Sequence, residues 1–202
     1  MERGKFMKLV FYSGVMRGGK TLRLIQKIDL ITDTSKERTT IIKPIQDTRD
    51  RGFVKSRGTD IIYPCLTIDE TDVKQKRMLT RHLLTGTDVL FIDEAQFFSK
   101  AFIELIYEIC AAADITIYAS GLLEDFNQKR FESSDFLLEN SDGYIFYTSD
   151  CYKCGEPSTH NVLLTETGER YVSTNGNNIL PEGDVSSRYE TVCDCCLLEL
   201  NE

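Results

Sequence analysis

Short apolar runs alternate with longer amphipathic stretches along the first three quarters of the chain. Apolar runs bounded by polar or turn residues predict strands at residues 7–12, 39–44, 61–63, 88–92, 115–120 and 144–147. Apolar residues spaced as one helix face predict helices over residues 20–31, 71–84 and 98–113. Because strands and helices alternate, the pattern predicts a parallel, doubly wound α/β sheet, with ligands outside the carboxyl ends of its strands.

The first predicted strand leads directly into a phosphate-binding motif of the form G-x-x-x-x-G-K-S/T. Its residues are Gly14, Val15, Met16, Arg17, Gly18, Gly19, Lys20 and Thr21. The glycines let the backbone turn tightly and aim N–H groups at an anion, and the following helix adds its N-terminal dipole. Lys20 can reach the outer phosphates, and the Thr21 hydroxyl can bind Mg²⁺. A glycine-rich surface loop is the alternative, but the flanking strand and helix favour nucleotide binding.

An acidic pair ends the predicted strand at residues 88–92. A near-continuous apolar run followed by Asp93 and Glu94 is typical of a buried parallel strand with a catalytic tip. Asp93 fits the second Mg²⁺-holding position of a phosphate-loop enzyme, although it could instead only cap the next helix. We expect the phosphate loop and the acidic pair to lie on neighbouring strands at one edge of the sheet.

The role of Glu94 separates two kinds of enzyme. If Glu94 activates water, the protein is a mechanical ATPase, and if it accepts a proton from a substrate hydroxyl, the protein is a kinase. The run from Asp93 to Gln96 resembles a helicase signature, but helicases of that type need two such sheet domains. A third, non-enzymatic possibility is a nucleotide-sensing scaffold. Three aromatic residues, Phe97, Phe126 and Tyr189, could stack on a flat ring and favour a heteroaromatic substrate.

Composition narrows the class of protein further. A chain of 202 residues suits one domain, or one domain with a small appendage. The net charge of −8 argues against a protein that coats nucleic acid. The sequence shows no secretory signal and no apolar run long enough to span a bilayer. We therefore expect a cytoplasmic protein with no membrane partner and no nucleic-acid partner.

Four of the seven cysteines form two C-x-x-C pairs, Cys151/Cys154 and Cys193/Cys196. Two such pairs predict a tetrahedral zinc site in a ribbon-like module, whereas two disulfides are disfavoured in a reducing compartment. Cys195 is an alternative to Cys196 as the fourth ligand. The composition changes here, so we predict an α/β unit at residues 1–150 and a zinc-binding unit at 151–202. Residues 155–192 have few apolar residues and predict a loop, closed at its base by the metal, that could cover the sheet edge.

Taken in order, these features resemble the zinc-containing (type II) thymidine kinases, a family of deoxynucleoside kinases. The resemblance rests on the phosphate loop, Asp47-Thr48-Arg49, residues 92–98, residues 121–126, the two cysteine pairs and Tyr189. It implies a RecA-like P-loop NTPase sheet flanked by helices, with a small C-terminal zinc ribbon and a lasso lid. Arg17 and Gly18 depart from the family pattern, which has a bulky apolar and a small residue at these positions.

The resemblance also implies a reaction and a set of site residues. ATP would donate its γ-phosphate to the 5′-hydroxyl of thymidine, with Glu94 as general base and Mg²⁺ held by Thr21 and Asp93. The ATP site would comprise the phosphate loop together with Asp47, Thr48, Arg49, Asp93, Glu94, Ala95 and Gln96. The nucleoside would contact Met16, Phe97, Phe126, Leu180, Pro181, Glu182, Gly183, Asp184 and Tyr189. The family resemblance further implies a homotetramer that is inhibited by dTTP.

Overall fold

A wholly parallel six-stranded sheet forms the centre of the computed structural model, which describes residues 7–172 and 187–201. The strands are β1 (Leu9–Gly14), β2 (Thr39–Pro44), β3 (Phe53–Lys55), β4 (Ile62–Pro64), β5 (Leu66–Ile68), β6 (Val89–Ile92), β7 (Thr116–Ser120), β8 (Gly143–Tyr147), β9 (His160–Thr165), β10 (Arg170–Tyr171) and β11 (Ser187–Val192). The helices are α1 (Lys20–Thr34), α2 (Val73–Gly86), α3 (Lys100–Ala113), α4 (Glu132–Glu139) and α5 (Asp194–Glu199), and a 3₁₀-helix covers Ala95–Phe97. The predicted α/β fold with a parallel sheet is confirmed.

Both faces of this sheet are covered by helices. Successive side chains of a strand point to opposite faces, so Leu9 and Phe11 pack with α2, α3 and α4, while Val10 and Tyr12 pack with α1. All four residues of β6 are buried, which explains the near-continuous apolar run seen in the sequence. None of the helices in the described ranges combines the length and apolar character needed to cross a bilayer.

The strand order differs from the prediction in one respect that matters for the site. The order is β5-β2-β6-β7-β1-β8, so β7 lies between the strand of the phosphate loop and the strand of Asp93. Ile117 of β7 is in register with Leu9 on one side and Leu90 on the other. The expectation that the two motifs lie on neighbouring strands is therefore wrong. Ser120, the last residue of β7, therefore lies between the phosphate loop and Asp93.

Several short elements were not visible in the apolar pattern. The run predicted at 61–63 is β4, but it pairs antiparallel with β3 outside the main sheet, and β5 forms the sheet edge instead. Helix α4 was missed because its buried side carries Ser133 and Ser134 beside Leu137, so an apolar periodicity is weak.

The region after Cys151 contains a second, antiparallel sheet of order β10-β9-β11. The prediction of a loop across residues 155–192 is wrong for these strands. Three buried residues of β9 and β11, Val162, Leu164 and Val192, pack with Cys151 and Cys196. The predicted lid residues Leu180 to Asp184 lie outside the described residues.

Candidate active site

The phosphate loop is pressed against the end of β8. A Cβ atom added at Gly14 would lie 2.0 Å from the Tyr147 carbonyl oxygen, and Gly14 has a φ of +141°, so only glycine fits there. The Val15 N–H donates to that same oxygen at 3.1 Å. Gly19 precedes α1 without a side-chain cap, which leaves the first N–H groups of the helix available to an anion.

Lys20, the first residue of α1, folds back over the loop. Its Nζ donates to the Val15 carbonyl oxygen at 2.7 Å. Burial lowers the pKa of Lys20 to about 8, although the nearby Glu94 and Asp93 carboxylates act in the opposite direction. The Lys20 ammonium group is therefore close enough to Asp93 and Glu94 for their charges to interact.

Asp93 accepts hydrogen bonds from two hydroxyl groups, one in the phosphate loop and one at the end of β7. Thr21 Oγ1 donates to Asp93 Oδ1 at 3.1 Å, and the Ser120 hydroxyl donates to the same oxygen. Burial, and then the neighbouring Glu94, raise the pKa of Asp93 to about 6, while both hydroxyl groups lower it. A carboxylate and a hydroxyl that already contact each other are hard oxygen ligands of the kind that Mg²⁺ prefers. Sequence reasoning missed Ser120, because its relevance depends on the strand order.

Both carboxylate oxygens of Glu94 are held in place. Arg49 Nη2 donates to Oε1 at 2.6 Å, and Gln96 Nε2 donates to Oε2 at 2.6 Å. The Gln96 amide oxygen in turn accepts from the Leu122 N–H at 3.0 Å, so this glutamine is used within the protein. Glu94 has a φ of +52°, and a non-glycine residue in this region is strained, as is common at functional sites. Ala95 is fully buried, and the Gln96 amide is used in these two hydrogen bonds. Neither residue therefore offers a free side chain to a ligand.

A buried lysine, Lys43, supports this arrangement through Asp47. Lys43 is 1% exposed, and its Nζ donates to Asp47 Oδ2 at 3.0 Å and to the carbonyl oxygens of Arg49 and Asp50. Asp47 Oδ1 accepts from Arg49 Nε at 3.1 Å, and Arg49 then reaches Glu94. These side chains line a cavity of about 420 Å³ together with Asp93. The structure thus connects Asp47 and Arg49 to Glu94, whereas Thr48 is exposed beside them.

Lys43 was not singled out in the sequence, although a lysine in an otherwise apolar strand is a usable signal. Replacing it by methionine should lower the free energy of unfolding by about 3 kcal/mol, because the buried Asp47 carboxylate would lose its buried cation and keep only the half-exposed Arg49. Chemical denaturation measures this loss. Lys55→Met, on the exposed hairpin strand β3, is the matched control and should change stability little. Equal stability of the two variants would contradict the structural role of Lys43.

Aromatic residues meet on the other side of the phosphate loop. Phe126 is buried, and the Tyr189 ring packs edge-on against it at a centroid distance of 5.9 Å. Met16 lies half-buried in the loop, and its N–H donates to Asn161 Oδ1 at 2.8 Å. Phe97 lies half-buried in the 3₁₀-helix that follows Glu94. Asn161 was missed because it is 145 positions away from its partner.

A larger cavity of about 810 Å³ lies between β5 and α2, away from this chemistry. Its lining includes Leu66, Met78 and His82, and none of the predicted site residues. We therefore place the candidate active site at the phosphate loop and the acidic pair rather than in this second cavity.

The four paired cysteines come together in the C-terminal region. The Sγ atoms of Cys151, Cys154, Cys193 and Cys196 all lie within 4.8 Å of one another. Those of Cys154 and Cys193 are 3.6 Å apart, and a tetrahedral zinc site with Zn–S bonds of about 2.3 Å would separate its sulfurs by roughly 3.8 Å. The residues present therefore fit zinc. Cys195 is exposed and does not belong to the cluster.

The four cysteines and the sheet of β9, β10 and β11 form what we call the cysteine module. Polar contacts join this module to the α/β sheet. His160 of β9 contacts Glu124 through Nδ1 at 2.5 Å and Asp194 through Nε2 at 2.8 Å. The hydrogen bond to Glu124, aided by both carboxylates, raises the pKa of His160 and favours its charged form. The module is thus tied to the loop after β7, near the aromatic pair.

Sequence comparison relates the chain to one family of known proteins. A family model described as "Thymidine kinase" matches residues 7–197. The chain is 30% identical over 168 residues to a thymidine kinase of Thermococcus kodakarensis, covering 82% of each chain. It is 30% identical over 190 residues to a thymidine kinase of Rhodopirellula baltica, covering 92% of this chain and 85% of that one. Among solved structures, the Pif1 helicase of Candida albicans is similar, with a TM-score of 0.45 and 16% identity, over 69% of this chain and 36% of that one. That likeness is too low to support a helicase activity.

Proposed function

Because the chain belongs to the thymidine kinase family, we propose that it transfers the γ-phosphate of ATP to the 5′-hydroxyl of thymidine and releases dTMP and ADP. The observation that carries this proposal is the Glu94 carboxylate, fixed by Arg49 and Gln96 next to the Thr21–Asp93 pair of the phosphate loop. A positioned carboxylate beside a phosphate site is what a phosphoryl transfer to an alcohol requires.

The phosphate loop would bind the triphosphate of ATP. Lys20 would exchange its contact with the Val15 carbonyl oxygen for the outer phosphates, and the N–H groups of the loop would hold the remaining oxygens. Thr21 and Asp93 would hold Mg²⁺, which supplies neutralisation of the charge on the phosphates.

Glu94 would act as the general base. It accepts the proton of the 5′-hydroxyl as the oxygen bonds to the γ-phosphorus and the bond to the β–γ bridging oxygen breaks. Arg49 orients the carboxylate and adds positive charge near the transferred group. The backbone strain at Glu94 is consistent with a side chain held in a fixed direction.

The nucleoside would lie beside the aromatic pair. Thymine would contact Met16, Phe97, Phe126 and Tyr189, of which Phe126 and Tyr189 already pack together. The lid contacts of residues 180–184 stay a prediction. Zinc at the four cysteines would have a structural role, because a site with four protein ligands keeps no open position. We also propose a cytoplasmic homotetramer that is inhibited by dTTP.

The alternative is an ATPase driven by nucleic acid, favoured only by the resemblance of residues 93–96 to a helicase signature. The kinase and the ATPase hypotheses differ in which compound stimulates ATP turnover. We expect ADP and dTMP to form in equal amounts with Mg-ATP and thymidine, and little ADP to form with DNA or with neither addition. ADP formation that responds to DNA and ignores thymidine would contradict the kinase proposal.

A further inference from the structure

Arg17, in the middle of the phosphate loop, contacts strand β11 through its side chain. Its Nη1 donates to Glu190 Oε2 at 2.9 Å, and its Nη2 donates to the Tyr189 carbonyl oxygen at 3.1 Å. Arg17 has a φ of +60°, so the loop backbone takes an unusual conformation at this residue. The guanidinium fork thereby binds two consecutive residues of β11, which lie 172 and 173 positions further along the chain.

The neighbouring residue of the loop is held by the same sheet. Asn161, 2% exposed, accepts the Met16 N–H and donates to the Glu124 carbonyl oxygen at 3.3 Å. Asn161 pairs with Thr191 in the register of β9 and β11. Two consecutive loop residues therefore contact two paired strands of the cysteine module, one through the backbone and one through a long side chain.

The strand that Arg17 binds also carries an aromatic side chain of the nucleoside site. Tyr189 offers its carbonyl oxygen to Arg17 and its ring to Phe126. The position of that ring thus depends on a backbone segment that Arg17 holds to the phosphate loop.

From these contacts we propose that Arg17 is a positioning residue for the nucleoside. This inference rests on the proposed function. Arg17 acts through Glu190 and the Tyr189 backbone, and it links the phosphate loop to the strand that shapes the thymine pocket. Arg17 is about half exposed, and exposed ion pairs contribute little to stability. Its loss should therefore appear in nucleoside binding rather than in unfolding.

The competing role for a loop arginine is direct contact with the ATP phosphates. The two roles predict different kinetic constants. A positioning role raises KM for thymidine, whereas phosphate binding raises KM for ATP. Glu190 distinguishes them further, because a carboxylate has no attraction for phosphate and its removal would affect only the positioning role.

The test compares Arg17→Gln, Glu190→Gln and the double variant, with both KM values, kcat and the melting temperature measured for each. We expect each single change to raise KM for thymidine by about 5- to 10-fold, with KM for ATP within about twofold of the parent. The double variant should be no worse than Arg17→Gln alone, since the Glu190 change removes only one of the two contacts that the Arg17 change already removes. Arg17→Lys, which keeps the charge, should recover part of the loss.

Glu190 also lies 3.8 Å from Arg188, so an Arg188→Gln variant controls for that second contact and should leave KM for thymidine near the parent value. Lys100→Gln breaks an exposed pair with Glu104 far from the loop and controls for loss of charge alone. A rise in KM for ATP that equals or exceeds the rise for thymidine would overturn the proposal, as would additive effects in the double variant or no change at all. A parent protein that makes no dTMP would instead overturn the proposed function.

Discussion

Replacing Glu94 by glutamine should lower kcat for dTMP formation by about a thousandfold, the effect expected when a general base is removed. Glutamine keeps the size of the side chain and can still accept from Arg49 through its amide oxygen, and it loses only the hydrogen bond from Gln96. The substitution therefore removes proton acceptance with little change in packing. Steady-state kinetics with Mg-ATP and thymidine measure the loss, and KM for ATP should change much less than kcat.

Glu104→Gln provides the matched control, since it makes the same chemical change on the exposed side of α3. It should retain the full rate. If Glu94→Gln kept more than about a tenth of the parent kcat, Glu94 would not be a general base of the usual strength. The role of Glu94 in the proposed reaction would then be wrong, although continued formation of dTMP would still support a kinase.

Replacing Cys196 by serine should remove zinc and lower the free energy of unfolding by at least about 3 kcal/mol, because a structural zinc site contributes its binding energy to folding. For a chain of this length the melting temperature should fall by about 10 °C. Metal analysis of the purified protein and a thermal melt measure both effects.

The adjacent Cys195 is a close control, because Cys195→Ser makes the same change one residue away from the cluster. That variant should keep one zinc per chain and the parent melting temperature. Purified, folded and active parent protein without bound zinc would contradict the metal assignment. Loss of zinc in Cys195→Ser, with zinc kept in Cys196→Ser, would instead show that Cys195 and not Cys196 is the fourth ligand.

The parts of the site that follow from local spacing could be predicted from the sequence. Lys20 and Thr21 are fixed relative to each other by the helix start, and Asp93 and Glu94 by the strand end. The cysteine pairs are likewise set by a spacing of three positions. Each of these motifs needs only a few consecutive residues to bring its chemistry together.

The contacts between motifs could not be predicted, because they depend on the tertiary structure. Ser120 lies 27 positions from Asp93, and Arg17 lies 173 positions from Glu190. No periodicity in the chain encodes which strand is inserted between β1 and β6, so the strand order was assigned wrongly. Lys43 was overlooked for a different reason, since a lysine near the end of β2 is normally expected to be exposed.

The same distinction explains the errors in the C-terminal region. Residues 160–165 and 187–192 pair as antiparallel strands, and their buried apolar side chains are Val162, Leu163, Leu164 and Val192. Average composition favoured a loop there. The positions of Val162, Leu164 and Val192, rather than their number, provide the core of that sheet.

The most direct measurement is a crystal structure with thymidine and a non-hydrolysable ATP analogue bound, in which the distance from the Glu94 carboxylate to the thymidine 5′-oxygen is read. The expected distance is that of a hydrogen bond, about 3 Å, with the triphosphate over Lys20 and the thymine ring beside Phe126 and Tyr189. A 5′-oxygen more than about 6 Å from Glu94, too far for one bridging water, or a nucleoside bound elsewhere would contradict it.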